Sequence, residues 1–489
     1  MKPTRLLTNS INLLSAQVIV VICGVLSTGI LSRDLGIDGY GFYILAIDVC
    51  LTIAILVDFG LPTWGLRNWD GSSQNAIPIM LRIMRIQVII ATIVSLLAIS
   101  FVSTLGLVEN STMFAILISS VCIIVFTEPL RVGLRMIGYA KYEAISRSCE
   151  KIIITMGYFL LSQSEKMGLI EAASCIFAGS IVTLILTYYL VYSVLNREKN
   201  SQTEENRIEF PSIRTIIWEA LPFAIAIAAL PLLGRIDKLL LGAILEIELV
   251  SVYNAAWVVL LTGFIVPNVI RQSITPLLAE STTIESRLIQ IIQSKKIVYS
   301  LIAIGVPVSI IISEVLLDVI FPDSFIEDRE FPEFAGISLF SILLPTWIWS
   351  MLACTNFESL KYNENKWALS NVVGLSLTIN FVVGLLLVRE FSIIGVAIGS
   401  ICAQFSIFMI SSILQVEEIG LPLRLVALEF SMGFLGTIGL ILFATREALW
   451  DPVFPGDVAL LASMYLLMLT VGYSAEERFS PQNVPSKIS

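Results

Sequence analysis

Fourteen runs of about twenty predominantly apolar residues follow one another along this chain, near 10–32, 41–64, 86–106, 111–130, 146–164, 169–193, 215–243, 250–270, 296–320, 335–358, 367–388, 393–414, 422–444 and 457–474. A helix of about twenty apolar residues is what crosses the hydrocarbon core of a bilayer. The predicted fold class is therefore all-α, a polytopic membrane protein with about 14 transmembrane helices. Composition agrees, because 56% hydrophobic against 14% charged residues over 489 positions, with a mean hydropathy of +0.88, is too apolar for a soluble globule of this length. Lys2 and Arg5 precede the first run, which continues past Leu31 without a small-residue cleavage site, so it reads as an uncleaved span.

Orientation is read from the basic residues, since loops retained in the cytoplasm accumulate Lys and Arg. With the N-terminus inside, that side holds 2 basic residues before span 1, then 3, 5, 4, 4, 2 and 1 in successive loops and 2 in the tail, 23 in all. The outer loops hold 5 (Arg33, Lys166, Arg329, Arg389 and Arg446), and Arg235 and Lys238 in span 7 complete the 30. Both termini are thus expected inside. The net charge of −9 says little about partners, because in a membrane protein the side matters more than the total. Histidine is absent, which removes the commonest general base and transition-metal ligand and leaves any proton relay to carboxylates. Seven cysteines (Cys23, Cys50, Cys122, Cys149, Cys175, Cys354 and Cys402) show no CxxC spacing and imply neither a disulfide framework nor a metal site. No cofactor is expected.

The longest polar stretch, Asn196 to Arg214, follows span 6 and reads as a cytoplasmic linker. The divisions expected are an N-lobe at 1–195, the linker at 196–214, a C-lobe at 215–415, and spans 13–14 with a tail at 416–489. Six spans before the linker give the second half the orientation of the first, which points to parallel repeats. A shift of 210 sets Gly36 to Tyr43 on Glu246 to Tyr253, and a shift of 224 sets Ala144-Ile145-Ser146 on Ala368-Leu369-Ser370. The expected architecture is two pseudo-two-fold-related six-helix lobes around a central cavity, with two C-terminal helices outside them.

Span 7 carries Arg235, Asp237 and Lys238, where a charge in lipid costs at least ~2.5 kcal/mol. Asp237 lies about 200° around a regular helix from Arg235, so the two face different surfaces unless Pro231 and Gly234 bend the chain. Lys238 is expected to extend toward the outer headgroups.

Four stretches, LSRDLGIDGYGFYILA, VDFGLPTWGLRNW, RIDKLLLGAILEIELVSVYNAA and FSIIGVAIGSICAQF, taken in this order and spacing, resemble the polysaccharide-biosynthesis flippases. These are the Wzx-like branch of the MOP superfamily, which also holds the multidrug and toxic-compound (MATE) exporters and the lipid II flippases. The resemblance covers about residues 5 to 415 and departs at Glu246-Ile247-Glu248-Leu249, which stands in place of a Gly-Pro type turn. It implies a MATE/MOP-like fold in the cytoplasmic membrane and no enzyme. It implies a flippase that moves a polyprenyl-diphosphate-linked oligosaccharide outward by alternating access, for O-antigen, capsule or exopolysaccharide synthesis. The partners it implies are that lipid-linked substrate, membrane lipids, a proton or sodium ion and other polysaccharide-assembly membrane proteins, with no nucleic acid.

Against such a cargo Arg235 suits phosphate, because a guanidinium offers forked donors and stays charged when desolvated; a structural ion pair is the other reading. Asp237 is read as paired with a neighbouring helix or with a coupling ion, and Asp48 in span 2 is a second coupling candidate. Asn254 and Asn356, with Glu358 and Asn380, either line a sugar path or bond helix to helix. Arg131, Arg135 and Arg147, with Lys141 and Lys151, either gather diphosphate headgroups at the inner face or only express the positive-inside rule, and Glu128 is expected to pair with Arg131. Trp64, Trp69, Trp347, Trp349 and Trp450 read as an interface belt. A multidrug exporter of the same superfamily is the first rival function. An integral-membrane glycosyltransferase or polymerase is the second, disfavoured by short outer loops without a DxD pair. In intact cells a cysteine placed at Asn200 in a Cys-free background should resist an impermeant maleimide and react once the membrane is opened; prompt labelling from outside would sink the topology.

Overall fold

The computed structural model describes residues 3–68, 73–104, 111–199, 211–281, 283–325, 336–362 and 367–450. The expected span 14 and most of the linker lie outside them. The regular elements among the described residues are helices. Nine described helical stretches are long and apolar enough to cross a membrane, two of them 52 residues long, as a multi-pass membrane protein requires.

The chain forms two compact units, Met1–Pro231 and Leu232–Ser489. Unit 1 holds α1 (Pro3–Asp58), α2 (Leu61–Arg67), α3 (Ser73–Thr104), α4 (Ser111–Met136), α5 (Ala140–Gln163), α6 (Leu169–Lys199) and all but the end of α7 (Ile213–Leu233). Unit 2 holds α8 (Ile236–Ile244), α9 (Ile247–Gly263), α10 (Ile265–Glu280), α11 (Ile284–Ile320), α12 (Gly336–Ser359), α13 (Ala368–Ile419) and α14 (Leu423–Trp450). Span 7 contributes to both. Ile216 and Ala220 of α7 pack with Leu61, Trp64 and Met80, and Trp64 donates to Glu219 Oε2 at 2.9 Å, whereas the charged part beyond Pro231 belongs to unit 2.

Two of the helices double back. In α1 the reversal is at Gly36, whose φ of 68° suits glycine. Ser27, before it, bonds Thr155 at 2.8 Å, and Tyr43, after it, bonds Tyr158 at 3.1 Å. Along a straight helix Ser27 and Tyr43 would stand about 24 Å apart, far more than the about 4.5 Å between Thr155 and Tyr158 on α5. Spans 1 and 2 are thus two arms lying along α5. In α13 the reversal is at Ser392, φ 49°, a strained value for a residue with a Cβ. Its arms meet where Ser406 donates to Ser376 at 2.7 Å.

Two further spans are broken rather than reversed. Pro231 lacks an N–H and Gly234 lacks a side chain, and between α7 and α8 the Arg235 N–H bonds Leu232 O at 3.0 Å. Trp257 occupies the notch, so that a Cβ on Gly234 would come within 2.9 Å of its ring. Between α9 and α10, Trp347 donates to Gly263 O at 2.9 Å. Trp64, Trp347 and Trp349 are therefore buried packing residues and not members of an interface belt; Trp349 donates to Thr437 at 3.1 Å. Trp69 lies outside the described residues.

Helix α14, the expected span 13, is fastened inside unit 2. Lys295 of α11 reaches both oxygens of Glu429 at 2.6 and 2.8 Å, and Tyr299 donates to the first at 2.7 Å. The arms of α13 approach closely enough that a Cβ on Gly399 would lie 2.9 Å from Asn380 Oδ1 and 3.0 Å from its carbonyl oxygen. Small residues allow this backbone contact in a membrane, where close packing replaces the hydrophobic drive. Gly399→Ala should therefore destabilise the protein by about 1–3 kcal/mol, the usual range for overpacking. Gly24→Ala, whose Cβ would meet nothing within 4 Å, is the control; equal thermal midpoints in detergent for the two variants would contradict this packing.

Candidate functional site

Because α8 restarts after the break, its first turn carries Asp237 into the interior of unit 2. An acidic group in the first turn is favoured by the helix dipole. The carboxylate is fully buried, and its Oδ2 accepts from Tyr253 of α9 at 2.6 Å and from Ser400 of α13 at 2.5 Å. One residue on, Lys238 is 6% exposed and donates to Asn254 Oδ1 at 3.1 Å. This corrects the expectation that Lys238 extends to the headgroups. The α8 and α9 segments face each other in one register, so Asp237 meets Tyr253 and Lys238 meets Asn254.

Asn380, on the first arm of α13, completes the group. Its Nδ2 donates to Leu233 O at 3.1 Å, a carbonyl freed by the break in span 7. Asp237 Oδ1 and Asn380 Oδ1 are buried and have no hydrogen-bond partner. Such orphaned oxygens are rare in a native interior and need a physical explanation. The Asn380 amide stands beside the Asp237 carboxylate, and a carboxylate oxygen and an amide oxygen that make no well-aligned hydrogen bond suit a proton or a hard cation.

Arg235, half-buried, immediately precedes the first turn of α8. Asn356 is fully buried between α12 and α13, where its Nδ2 donates to Ser412 at 2.9 Å, while one turn on Ser359 donates to Gln415 at 3.2 Å. These are helix-to-helix bonds. Asp48 is buried in the second arm of α1, in unit 1, whereas the Asp237 group belongs to unit 2.

Arg131, Arg135 and Arg147 belong to an alternating chain of charges on α4 and α5. Glu150 and Glu128 hold Arg131 at 2.6 and 2.8 Å, Glu128 also holds Arg147 at 2.7 Å, and Glu143 bonds both Arg147 and Arg135. Arg131 is 2% exposed, against 40% for Arg135 and 34% for Arg147. The expected Glu128–Arg131 pair is present. Glu143 and Glu150 join this chain beyond the residues expected from the sequence, although the i,i+4 spacing of Glu143 and Arg147 is a legible signal. Ser400 and the Lys295–Glu429 pair carried no such local signal.

The geometry defines a class, a multi-pass α-helical membrane protein with a buried polar group at the broken seventh span. Residues 6–282, more than half of the chain, match the family described as polysaccharide biosynthesis protein, and the chain belongs to that family. Its fold is MOP-like. A MATE transporter solved in complex with MaL6 superposes with a TM-score of 0.61 at 16% identity, over 85% of this chain and 96% of that one. A MOP superfamily transporter from Pyrococcus furiosus gives 0.57 at 14% identity, over 85% and 95%. The lipid II flippase MurJ, in an inward closed conformation, gives 0.59 at 12% identity, over 95% and 98%. No curated protein matches the sequence.

Tyr253→Phe and Ser400→Ala should each destabilise the protein by about 1–2 kcal/mol, since Asp237 Oδ2 keeps its other donor. The double variant should lose more than both together, because the oxygen then has no donor. Thermal unfolding of the purified protein checks this, and simple additivity would mean that the two hydroxyls do not share one acceptor.

Proposed function

We propose that the chain is a flippase that moves a polyprenyl-diphosphate-linked oligosaccharide across the cytoplasmic membrane by alternating access, for synthesis of a cell-surface polysaccharide. One observation carries the reading: in a member of the polysaccharide biosynthesis family, the break in a membrane span brings a carboxylate, an ammonium and two amides together inside unit 2. The MurJ-like fold, shared with a protein whose name records lipid II flipping, supports the lipid-linked class of cargo. The task needs no bond-making chemistry. It needs fixed polar groups that replace the water lost by phosphates and sugars in hydrocarbon.

In this reading Arg235 neutralises the diphosphate through its forked donors. Asn254 contributes to the cargo path. Asp237 is the coupling residue, taking up a proton or sodium ion on Oδ1 and releasing it as α8 shifts against α13, with Asp48 as a second coupling group. Arg135 and Arg147, the more exposed members of the charge chain, gather headgroups at the cytoplasmic face, while Arg131 holds α4 to α5 behind them. Both termini lie in the cytoplasm.

Arg235→Ala should abolish export of the glycan with the protein at its normal level in the membrane. Arg235→Lys should restore it only in part, because an ammonium lacks the fork. If Arg235 instead serves as partner to a carboxylate, the single variant fails because it strands a buried charge, at a cost of roughly 3–5 kcal/mol, and removing both charges repairs it. Normal export by an Arg235→Ala, Asp237→Ala double variant would therefore end the cargo-binding role of Arg235 and the coupling role of Asp237 alike. Drug resistance on overexpression, without glycan export, would favour a multidrug exporter.

A further inference from the structure

Outside the Asp237 group, unit 1 contains a groove of about 360 Å³ between α3, α4 and α6, lined by Met84, Val88, Phe126, Leu130, Leu184 and Tyr188. Apart from the Tyr188 hydroxyl the lining side chains are hydrocarbon or thioether, so the groove offers almost nothing to a sugar and much to a lipid chain. At one end it continues into a buried cluster of Ile77, Leu130, Leu134, Val191 and Val194, against which Met84 and Leu184 also pack. That cluster draws on the N-terminal part of α3 and the C-terminal part of α6.

The same end carries charge. Arg85 is exposed, whereas Arg131, Arg135 and Arg147 are held by glutamates. Around α3 it stands about 60° from Val88 and about 100° from Met84, and about 4.5 Å along the axis from Val88, which sets it on the rim of the groove. Tyr188 and Tyr192 are exposed on the facing part of α6, one turn apart, and tyrosine side chains at such positions mark the level of lipid headgroups. Basic rims on clefts between membrane helices are recognition sites for anionic headgroups.

From this geometry we infer that the groove binds the single prenyl chain of a polyprenyl phosphate or diphosphate, with the phosphate at Arg85. Two features select this occupant over a glycerophospholipid. The volume holds part of one chain and not two, and Arg85 is the exposed cation on the α3 side of the rim. Aromatic faces from Phe126 and Tyr188 and the adaptable thioether of Met84 can follow the methyl branches of an isoprenoid, where a linear acyl chain has none. The inference rests on the flippase reading for its biological sense, since it gives the lipid part of the cargo a docking place on unit 1.

The full-length protein in nanodiscs of a neutral phosphatidylcholine is irradiated with a polyprenyl phosphate carrying a diazirine in its chain. Cross-links should map to 84–88 and 184–188. Val88→Trp, which fills the groove from an exposed position, should remove them without changing the thermal midpoint, and Ile185→Trp, at an exposed position that also lines the groove, is the second variant should the first not accumulate. Arg85→Gln should lower labelling about fivefold, the weight of one basic residue at headgroup level. Labelling spread evenly over lipid-facing helices, labelling indifferent to both tryptophan variants, or competition by phosphatidylglycerol equal to that by unlabelled polyprenyl phosphate would overturn the inference. Glycan export is measured alongside. Export that needs Arg235 while the groove stays unlabelled sinks the groove alone, and specific groove labelling in a protein that moves no lipid-linked glycan sinks the flippase reading alone.

Discussion

The arrangement of unit 2 turns on one carboxylate buried in a membrane helix. Ionised Asp237 in an apolar interior is tolerable only if donors converge on it, and an unbroken span 7 would leave its direction to helical periodicity alone. The break at Pro231–Gly234 lets α8 restart with Asp237 in its first turn, and Tyr253 and Ser400 arrive from two other helices. The same break frees Leu233 O, which Asn380 satisfies, and opens the notch that Trp257 fills. One departure from regular helix thus accounts for four neighbouring side chains.

Unit 1 handles its buried charge differently. Its arginines and glutamates alternate along α4 and α5, so that each charge has an opposite neighbour, from the enclosed Arg131–Glu150 pair to the half-exposed Arg135. Such a chain fixes two helices against each other and leaves its outer members able to exchange partners. The Asp237 group keeps one carboxylate oxygen without a donor, and the Lys295–Glu429–Tyr299 group satisfies Glu429 three times over. Of these two groups in unit 2, one is poised to change state and the other is a fastening.

Much of this could be read from the sequence. Long apolar runs require membrane-spanning helices whatever their neighbours, because the bilayer fixes the length and the backbone must bond to itself. Prolines, glycines and charges in span 7 announced an irregular and polar place, and the order of four short stretches gave the family, which residues 6–282 then matched. These signals are local, carried by residues adjacent in the chain or one or two helical turns apart.

What only the tertiary structure decided is which polar groups meet. Ser400 is 163 residues from Asp237, and Glu429 is 134 from Lys295, and nothing in either neighbourhood names the other. Lys238 shows the reason most plainly. Its long chain can reach the headgroups along an isolated helix, and the sequence favours that outcome, yet after the break α8 lies in register with α9 and the ammonium donates to Asn254. Trp347 and Trp349 likewise have the composition of an interface belt but sit where Gly263, Gly305 and Gly433 leave space for an indole. Hydropathy fixes how deep a residue lies in the membrane; the rotation of each helix about its own axis, which chooses its partners, is set largely by packing against its neighbours.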